Sequence, residues 1–329
     1  MPDAKMPTVV PTKGIKMKKY GFGVDVGGTT CKIGLFETTG ELIEKWEIPT
    51  NTDNNGESIP RDIVAAVHNT MVEKDLRKEN VVGIGLGVPG AVTENGVVNK
   101  CINLGWGVVP IVEQMEELSG LKVRAANDAN IAALGEAWMG AGKNCHSIVM
   151  VTLGTGIGGG IIINHKILTG FNGAAGEIGH IVVNEDEILQ CNCGSHGCIE
   201  QYASATGIVM MAHRHLERSS KKSALRDMED FTAKDVFDLA KKGDDLAKEV
   251  VHSVCYLLGK MIATVCNVVN PEAVLIGGGV SKAGKIILEE IKEGFDVGIF
   301  HACANTQIRL ATLGNDAGIY GGVSLILND

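Results

Sequence analysis

The sequence is short of positive charge: 30 lysines and arginines stand against 39 aspartates and glutamates, a formal net charge of −9. No Lys/Arg-rich face stands out beyond short pairs. Nucleic acid is therefore excluded as the main partner, and an anionic substrate needs locally placed donors or a metal. An apolar h-region near the N-terminus is missing, and so is any Asn-x-Ser/Thr sequon. The most apolar stretch, Ile148 to Ile163, is cut by five glycines, so it does not span a membrane, and no membrane partner is expected. An even, paired set of cysteines is missing too. The nine (Cys31, Cys101, Cys145, Cys191, Cys193, Cys198, Cys255, Cys266, Cys303) mostly stand singly in apolar or helical contexts, the pattern of a reduced, cytoplasmic protein. No Gly-x4-Gly-Lys-Ser/Thr sequence occurs, which removes the P-loop.

Glycine, by contrast, is plentiful, with 43 in 329 residues, many in clusters after apolar runs. Such clusters predict tight turns where backbone approaches a ligand. The length allows two domains, and 45% hydrophobic content is that of an ordinary globular protein. Met1 to Lys19 is polar and aperiodic and reads as a flexible leader. Gly21 to Glu37 then reads as two buried strands joined by a turn at Gly27, Gly28 and Thr29. Helical spacing follows over Ser58 to Lys78, a strand over Val81 to Val88, a short helix over Pro110 to Leu118 and a strand over Lys122 to Ala126. A helix runs from there to Trp138. Ile148 to Ile163 repeats the opening device, strand, Gly-Thr turn, strand, which predicts an internal duplication. Helices near Gln201 to Glu217, Ala233 to Lys241 and Leu246 to Val269 come next. A strand over Ala273 to Ile276 ends in Gly277, Gly278 and Gly279, and a last helix follows Asp316.

Two stretches fit G-x-G-x-x-G, Gly85 to Gly90 and Gly154 to Gly159, but a dinucleotide site needs a helix opening at the third glycine. Here a turn and a strand follow instead. The turns at Gly27 to Thr30 and Gly154 to Gly156 have another use. Successive unhindered N–H groups beside a Thr hydroxyl form a concavity for phosphate oxygens, and Asp25 ahead of the first turn suits Mg²⁺ or its waters. The plain alternative is a pair of ordinary hairpins. Asp128 after a strand is either a helix N-cap, for which Asn127 is equally suited, or a general base at a strand's carboxyl end. Gly277 to Gly279 is either a helix entry or a flat seat for a nucleotide base.

Ten residues separate His180 from Cys191, and Cys193 and Cys198 complete a Cys-x-Cys-x4-Cys cluster cut by glycines. One imidazole and three thiols suit tetrahedral Zn²⁺ with a closed, structural shell. The alternative is three buried cysteines and an unrelated histidine. Glu177 and Glu200 flank the cluster, so a metal that fixes the ligands fixes two carboxylates suited to a polyhydroxylated ligand.

Taken together, the motifs DVGGTT, NDAN, LGTGIGGG, GEIGH, CNCGSHGCIE and GGGVS resemble the ROK family of sugar kinases and sugar-responsive repressors, across Gly21 to Leu327. The resemblance implies an α/β, actin-like ATPase (ribonuclease H-like) fold, two α/β domains around a central cleft. They would be residues 20–127 and 128–329, with the zinc segment at 177–200 and the last helix packed back on the N-terminal domain. It implies Asp128 as catalytic base, with Gly90, Asn127, Glu177, His180 and Glu200 also at the sugar. Asp25, Gly27, Gly28, Thr29, Thr30, Lys32, Gly154, Thr155 and Gly156 would meet ATP and Mg²⁺, and Gly277, Gly278 and Gly279 the adenosine. His180, Cys191, Cys193 and Cys198 match the structural zinc site. Thr30 ahead of Cys31 is a small variation on the first phosphate loop. The implied activity is transfer of the ATP γ-phosphate to the primary hydroxyl of glucose by a homodimer. Other hexoses (N-acetylmannosamine, N-acetylglucosamine, fructose, allose), polyphosphate as donor, or a non-catalytic sugar sensor are the alternatives. Family repressors carry a winged helix ahead of the first strand, where this chain has its polar leader.

Overall fold

The computed structural model describes residues 19–328, so the leader expected over 1–19 lies outside the described residues save Lys19. Two five-stranded sheets form the frame, in the orders β3-β2-β1-β4-β5 and β10-β9-β6-β7-β8. The first is built from β1 (Tyr20–Val26), β2 (Thr30–Glu37), β3 (Leu42–Pro49), β4 (Val81–Val88) and β5 (Val123–Asn127). A single turn, α1 (Asp53–Gly56), and the helices α2 (Ile59–Glu73) and α3 (Ile111–Ser119) sit between them, and α4 (Asp128–Met139) follows β5. The second sheet holds β6 (Ile148–Leu153), β7 (Ile157–Ile163), β8 (Lys166–Ile167), β9 (Ala273–Gly277) and β10 (Gln307–Leu310). Its helices are α5 (Glu200–Ala203), α6 (Ala205–Arg218), α7 (Ala233–Lys241), α8 (Asp245–Val269), α9 (Lys285–Gly298) and α10 (Ala317–Leu327).

The sheets repeat one plan. In each, the first three strands run antiparallel as a meander, and two further strands add in parallel beside the first. The internal duplication expected from the paired Gly-Thr hairpins is therefore present. Each half ends in a helix, and the two end helices exchange partners. α4 leaves the first sheet and packs Ala133, Leu134 and Ala137 on Ile148, Met150 and Ile162 of the second. α10 leaves the second sheet and packs Ile319 and Val323 on Phe36 of the first.

Several glycines inside the strands and helices serve this exchange. A Cβ at Gly23 would stand 1.8 Å from Ile319 O, and one at Gly85 1.7 Å from Gly322 O, so α10 rests directly on the bare backbone of β1 and β4. Where the end helices cross, a Cβ at Gly321 would stand 1.7 Å from Ile131 O, and one at Gly135 2.2 Å from Ala317 O. Bulkier residues would push the layers apart at the cost of the dispersion contacts that hold them.

Elsewhere the apolar spacing sets the layers. α2 buries Ile63, Val67 and Met71, one side of the helix, against the first sheet together with Met115 of α3. α8 is long and apolar enough to cross a membrane by length and composition, yet it is the central helix of the second core, with Val250, Val254, Leu258 and Ile262 buried. The single helix expected over Gln201 to Glu217 is two. Ser204 breaks it in an extended conformation and caps α6 by accepting from Gly207 N at 3.0 Å. β3, β8, α9 and β10 were not anticipated.

Candidate active site

A cleft of about 810 Å³ opens between the halves and gathers Asp25, Gly27, Gly28, Asp128, Gly154, Gly156, Glu177, His180, Glu200 and Gly278. Residues far apart in sequence thus line one space. At one end of the cleft, the β1–β2 turn closes with Gly27 N donating to Thr30 O at 2.9 Å. Its counterpart after β6 closes with Gly154 N donating to Gly156 O at 2.9 Å. Asp25 stands at the start of α10, where a Cβ on Gly318 would lie 2.6 Å from its carboxyl. Burial, then the Asp128 carboxylate, push Asp25 up to about 6, against the pull of Lys32. A half-buried acid raised in this way gains from a cation, and its donor type suits Mg²⁺.

Asn127 is the N-cap of α4: its Oδ1 accepts from Ala129 N at 2.9 Å and Asn130 N at 3.3 Å. The capping duty therefore falls to Asn127, and Asp128 is the first residue inside the helix, open to the cleft. Desolvation by the cleft walls raises the Asp128 pKa, a hydrogen bond from Ala129 N lowers it, and the Glu177 carboxylate raises it. Such an acid is shifted toward the range useful for taking a proton.

Opposite lies the cysteine cluster. The ligand atoms of His180, Cys191, Cys193 and Cys198 all fall within 4.8 Å of one another. Cys193 and Cys198 sulfurs are 3.6 Å apart, and Cys191 Sγ is 3.8 Å from His180 Nδ1. Zn–S bonds of about 2.3 Å in a tetrahedron place two sulfurs roughly 3.8 Å apart, close to these two separations, so the donor set fits zinc. Gly194 and Gly197 adopt φ of +92° and +73°, the left-handed bends that bring the sulfurs together. Nδ1 of His180 faces the sulfur, which leaves Nε2 for the cleft, so one ring can serve metal and ligand alike. Glu200 begins α5, and its Oε2 accepts from Ile157 N at 2.9 Å, tying the metal segment to the second glycine turn.

An adjoining pocket of about 470 Å³ shares Gly154 with the cleft and holds Thr155, Gly279, Val280, Ala205 and Phe237. Its apolar walls suit a planar base. Gly277 lies buried inside β9 and lines neither space; Gly278, at φ +83°, passes beside Leu153 O. Other expected residues are tied by hydrogen bonds to segments beside the cleft, Thr29 exposed and Gly90 and Lys32 half-buried. Gly90 O accepts from Asn127 Nδ2 at 3.0 Å, Thr29 O accepts from Thr50 N at 2.9 Å, and Lys32 Nζ donates to Asn315 O at 2.6 Å. Asn103, Thr152, Gly314 and Asn315 line the cleft, and Lys234, Phe237 and Lys282 the pocket, without having been foreseen.

Residues 21–329 match the sequence profile of the ROK family. The chain is 45% identical to a glucokinase of Halalkalibacterium halodurans over 94% of its own length and 95% of that protein's. With a glucokinase of Thermotoga maritima it shares 37% identity, covering 92% of this chain and 96% of the other. A crystal structure of a ROK family glucokinase from Streptomyces griseus in complex with glucose and AMPPNP superposes with a TM-score of 0.71. It is 30% identical, covering 94% of this chain and all of that one. The chain belongs to the ROK family. Its fold is the α/β, actin-like ATPase fold, two sheets and their helices around a cleft.

Proposed function

We propose that this protein is a glucokinase that transfers the γ-phosphate of ATP to the primary hydroxyl of glucose, giving glucose 6-phosphate. The observation that carries the reading is the single cleft in which Asp128, the two glycine turns and the acids flanking the Cys/His cage meet. Glu177, His180 and Glu200 hold the sugar hydroxyls, with Asn127 and Gly90 shaping the floor beneath them. Asp128 accepts the proton of the primary hydroxyl as that oxygen attacks phosphorus. N–H groups of Gly27 to Thr30 and Gly154 to Gly156 receive the phosphate oxygens, and the base lies against Phe237, Val280 and Gly279. Mg²⁺ held through Asp25 supplies charge neutralisation on the phosphates. Zinc held by His180, Cys191, Cys193 and Cys198 supplies rigidity to the sugar side.

The proposal extends to organisation. Residues 20–127 and 128–329 form the two domains, with α4 and α10 as the crossing between them. The protein is a homodimer, in keeping with exposed apolar side chains on the second half, such as Val268, Val297 and Phe300. A reducing cytoplasm suits nine free thiols and a thiolate metal cage. The test is a coupled ADP assay over glucose, N-acetylglucosamine, N-acetylmannosamine, fructose and allose, with ATP and polyphosphate side by side. Glucose with ATP is expected to give the highest kcat/KM; a higher value for another sugar, or none for any, overturns the assignment. Sedimentation at micromolar concentration tests the dimer.

A further inference from the structure

Glu136, in the last turn of α4, is fully buried, and hydrogen-bond donors converge on it from two parts of the chain. Its Oε1 accepts from Thr312 N at 2.8 Å and Leu313 N at 2.6 Å; its Oε2 accepts from Ala141 N at 2.8 Å and Thr312 Oγ1 at 3.4 Å. A carboxylate only accepts, so these contacts use it well, and a Cβ on Gly140 would stand 2.0 Å from Oε2. The site is built around this acid.

Both ends of the connection reach the cleft. Eight residues before Glu136, the same helix begins with Asp128. Beyond Leu313, the strap continues into Gly314 and Asn315, which line the cleft. Asn315 O accepts from Lys32 Nζ at 2.6 Å, and the Asp316 carboxylate lies 3.6 Å from the same nitrogen. Lys32 is in turn the register partner of Asp25 across the phosphate hairpin. We propose that Glu136 is a positioning residue for phosphoryl transfer: it clamps the 312–316 strap to α4, and through Asn315 and Lys32 it sets the reach between the phosphate hairpin and Asp128. The proposal rests on the kinase reading above. It assigns the strap to the nucleotide side alone, because Glu177, His180 and Glu200 hang from other segments.

Glu136→Gln keeps the shape and turns one acceptor into a donor facing N–H groups. Loss of one charge-assisted hydrogen bond in the clamp is expected to lower kcat/KM for ATP by roughly tenfold or more. Glucose affinity, measured by calorimetry without nucleotide, is expected to stay within about twofold, which a general loss of structure would not allow. Because both residues act through one strap, Glu136→Gln added to Lys32→Met is expected to cost little beyond Lys32→Met alone, whereas independent effects multiply. Equal loss of glucose affinity, multiplicative losses, or unchanged ATP kinetics would each overturn the proposal. Should Glu136→Gln fail to fold, Asp316→Asn at the outer end of the strap is expected to give the same split, and unaltered ATP kinetics there would count against it equally. Direct binding of AMPPNP separates this from the wider reading. A wild type that phosphorylates no sugar sinks the kinase; in that case the strap is still tested, and it falls if wild type and variant bind the analogue alike.

Discussion

At Asp128, stability and the proposed proton transfer pull in opposite directions. Burial raises its folded pKa above the ordinary carboxylate value, so the folded state binds the proton more tightly than the unfolded chain. Its contribution to stability is complete below the ordinary pKa and is lost as pH rises through the raised one, where a charge must form among the cleft walls. At neutral pH, Asp128→Asn is therefore expected to leave the melting temperature unchanged or higher. Turnover is expected to fall by roughly 10² to 10⁴, because an amide cannot accept the hydroxyl proton. In the wild type, the acid limb of kcat/KM is expected above the usual carboxylate range. A near wild-type kcat in the variant would remove Asp128 from the mechanism. Sequence alone left Asn127 and Asp128 as equal candidates for the cap, since both side chains suit it; which one turns inward depends on the backbone angles where β5 enters α4.

The metal segment is an element held at two places. Its inner side is the Cys/His cage; its outer side is Glu187, which takes a two-pronged bond from Arg214 at 2.7 and 2.9 Å and one from Tyr202 at 2.7 Å. Arg214 and Tyr202 hold the Glu187 carboxyl down at about 2, despite its burial. This brace is fully present above the ordinary carboxylate pKa and is lost only as pH falls below it toward about 2. Zinc, expected at about one per chain, can thus be removed at neutral pH without releasing the outer side. Chelation, or Cys193→Ser, is expected to lower the melting temperature and weaken glucose binding together. Amide exchange should rise over residues 190–198 and stay unchanged in α6. Loss of ATP binding alone would contradict the assignment. This element was legible because three of its four ligands fall within eight residues, Cys191 to Cys198. The missed elements are of the opposite kind: β3 alternates Leu42, Glu44, Trp46 and Ile48 with exposed neighbours as an edge strand, and β10 has only four residues.

For the whole molecule, the two Gly-Thr hairpins announced the duplication; the return of the last helix to the N-terminal domain came only with the resemblance, and the matching passage of α4 onto the second sheet was hidden. It is encoded in glycines such as Gly135 and Gly321, which touch only after both halves have folded. A local reading places both inside helices but cannot show what each one touches. Their true role makes a separable prediction. Gly321→Ala puts a methyl group 1.7 Å from Ile131 O, a backbone atom that cannot yield without moving α4 from α10. Overpacking of this kind costs about 1–3 kcal/mol. Both helices carry cleft residues, Asp128 on one and Gly318 on the other, so kcat is expected to fall together with the melting temperature. Gly28→Ala is the contrast. Nothing lies within 4 Å of its new Cβ, so the fold is expected to keep its stability, while the methyl group stands in the concavity proposed for phosphate oxygens. That variant is expected to raise the KM for ATP with no change in melting temperature or glucose affinity. If the two substitutions instead gave the same profile, with stability and ATP kinetics moving together in both, the crossing helices would not be the joint between the halves, and the glycines on them would be only tight packing.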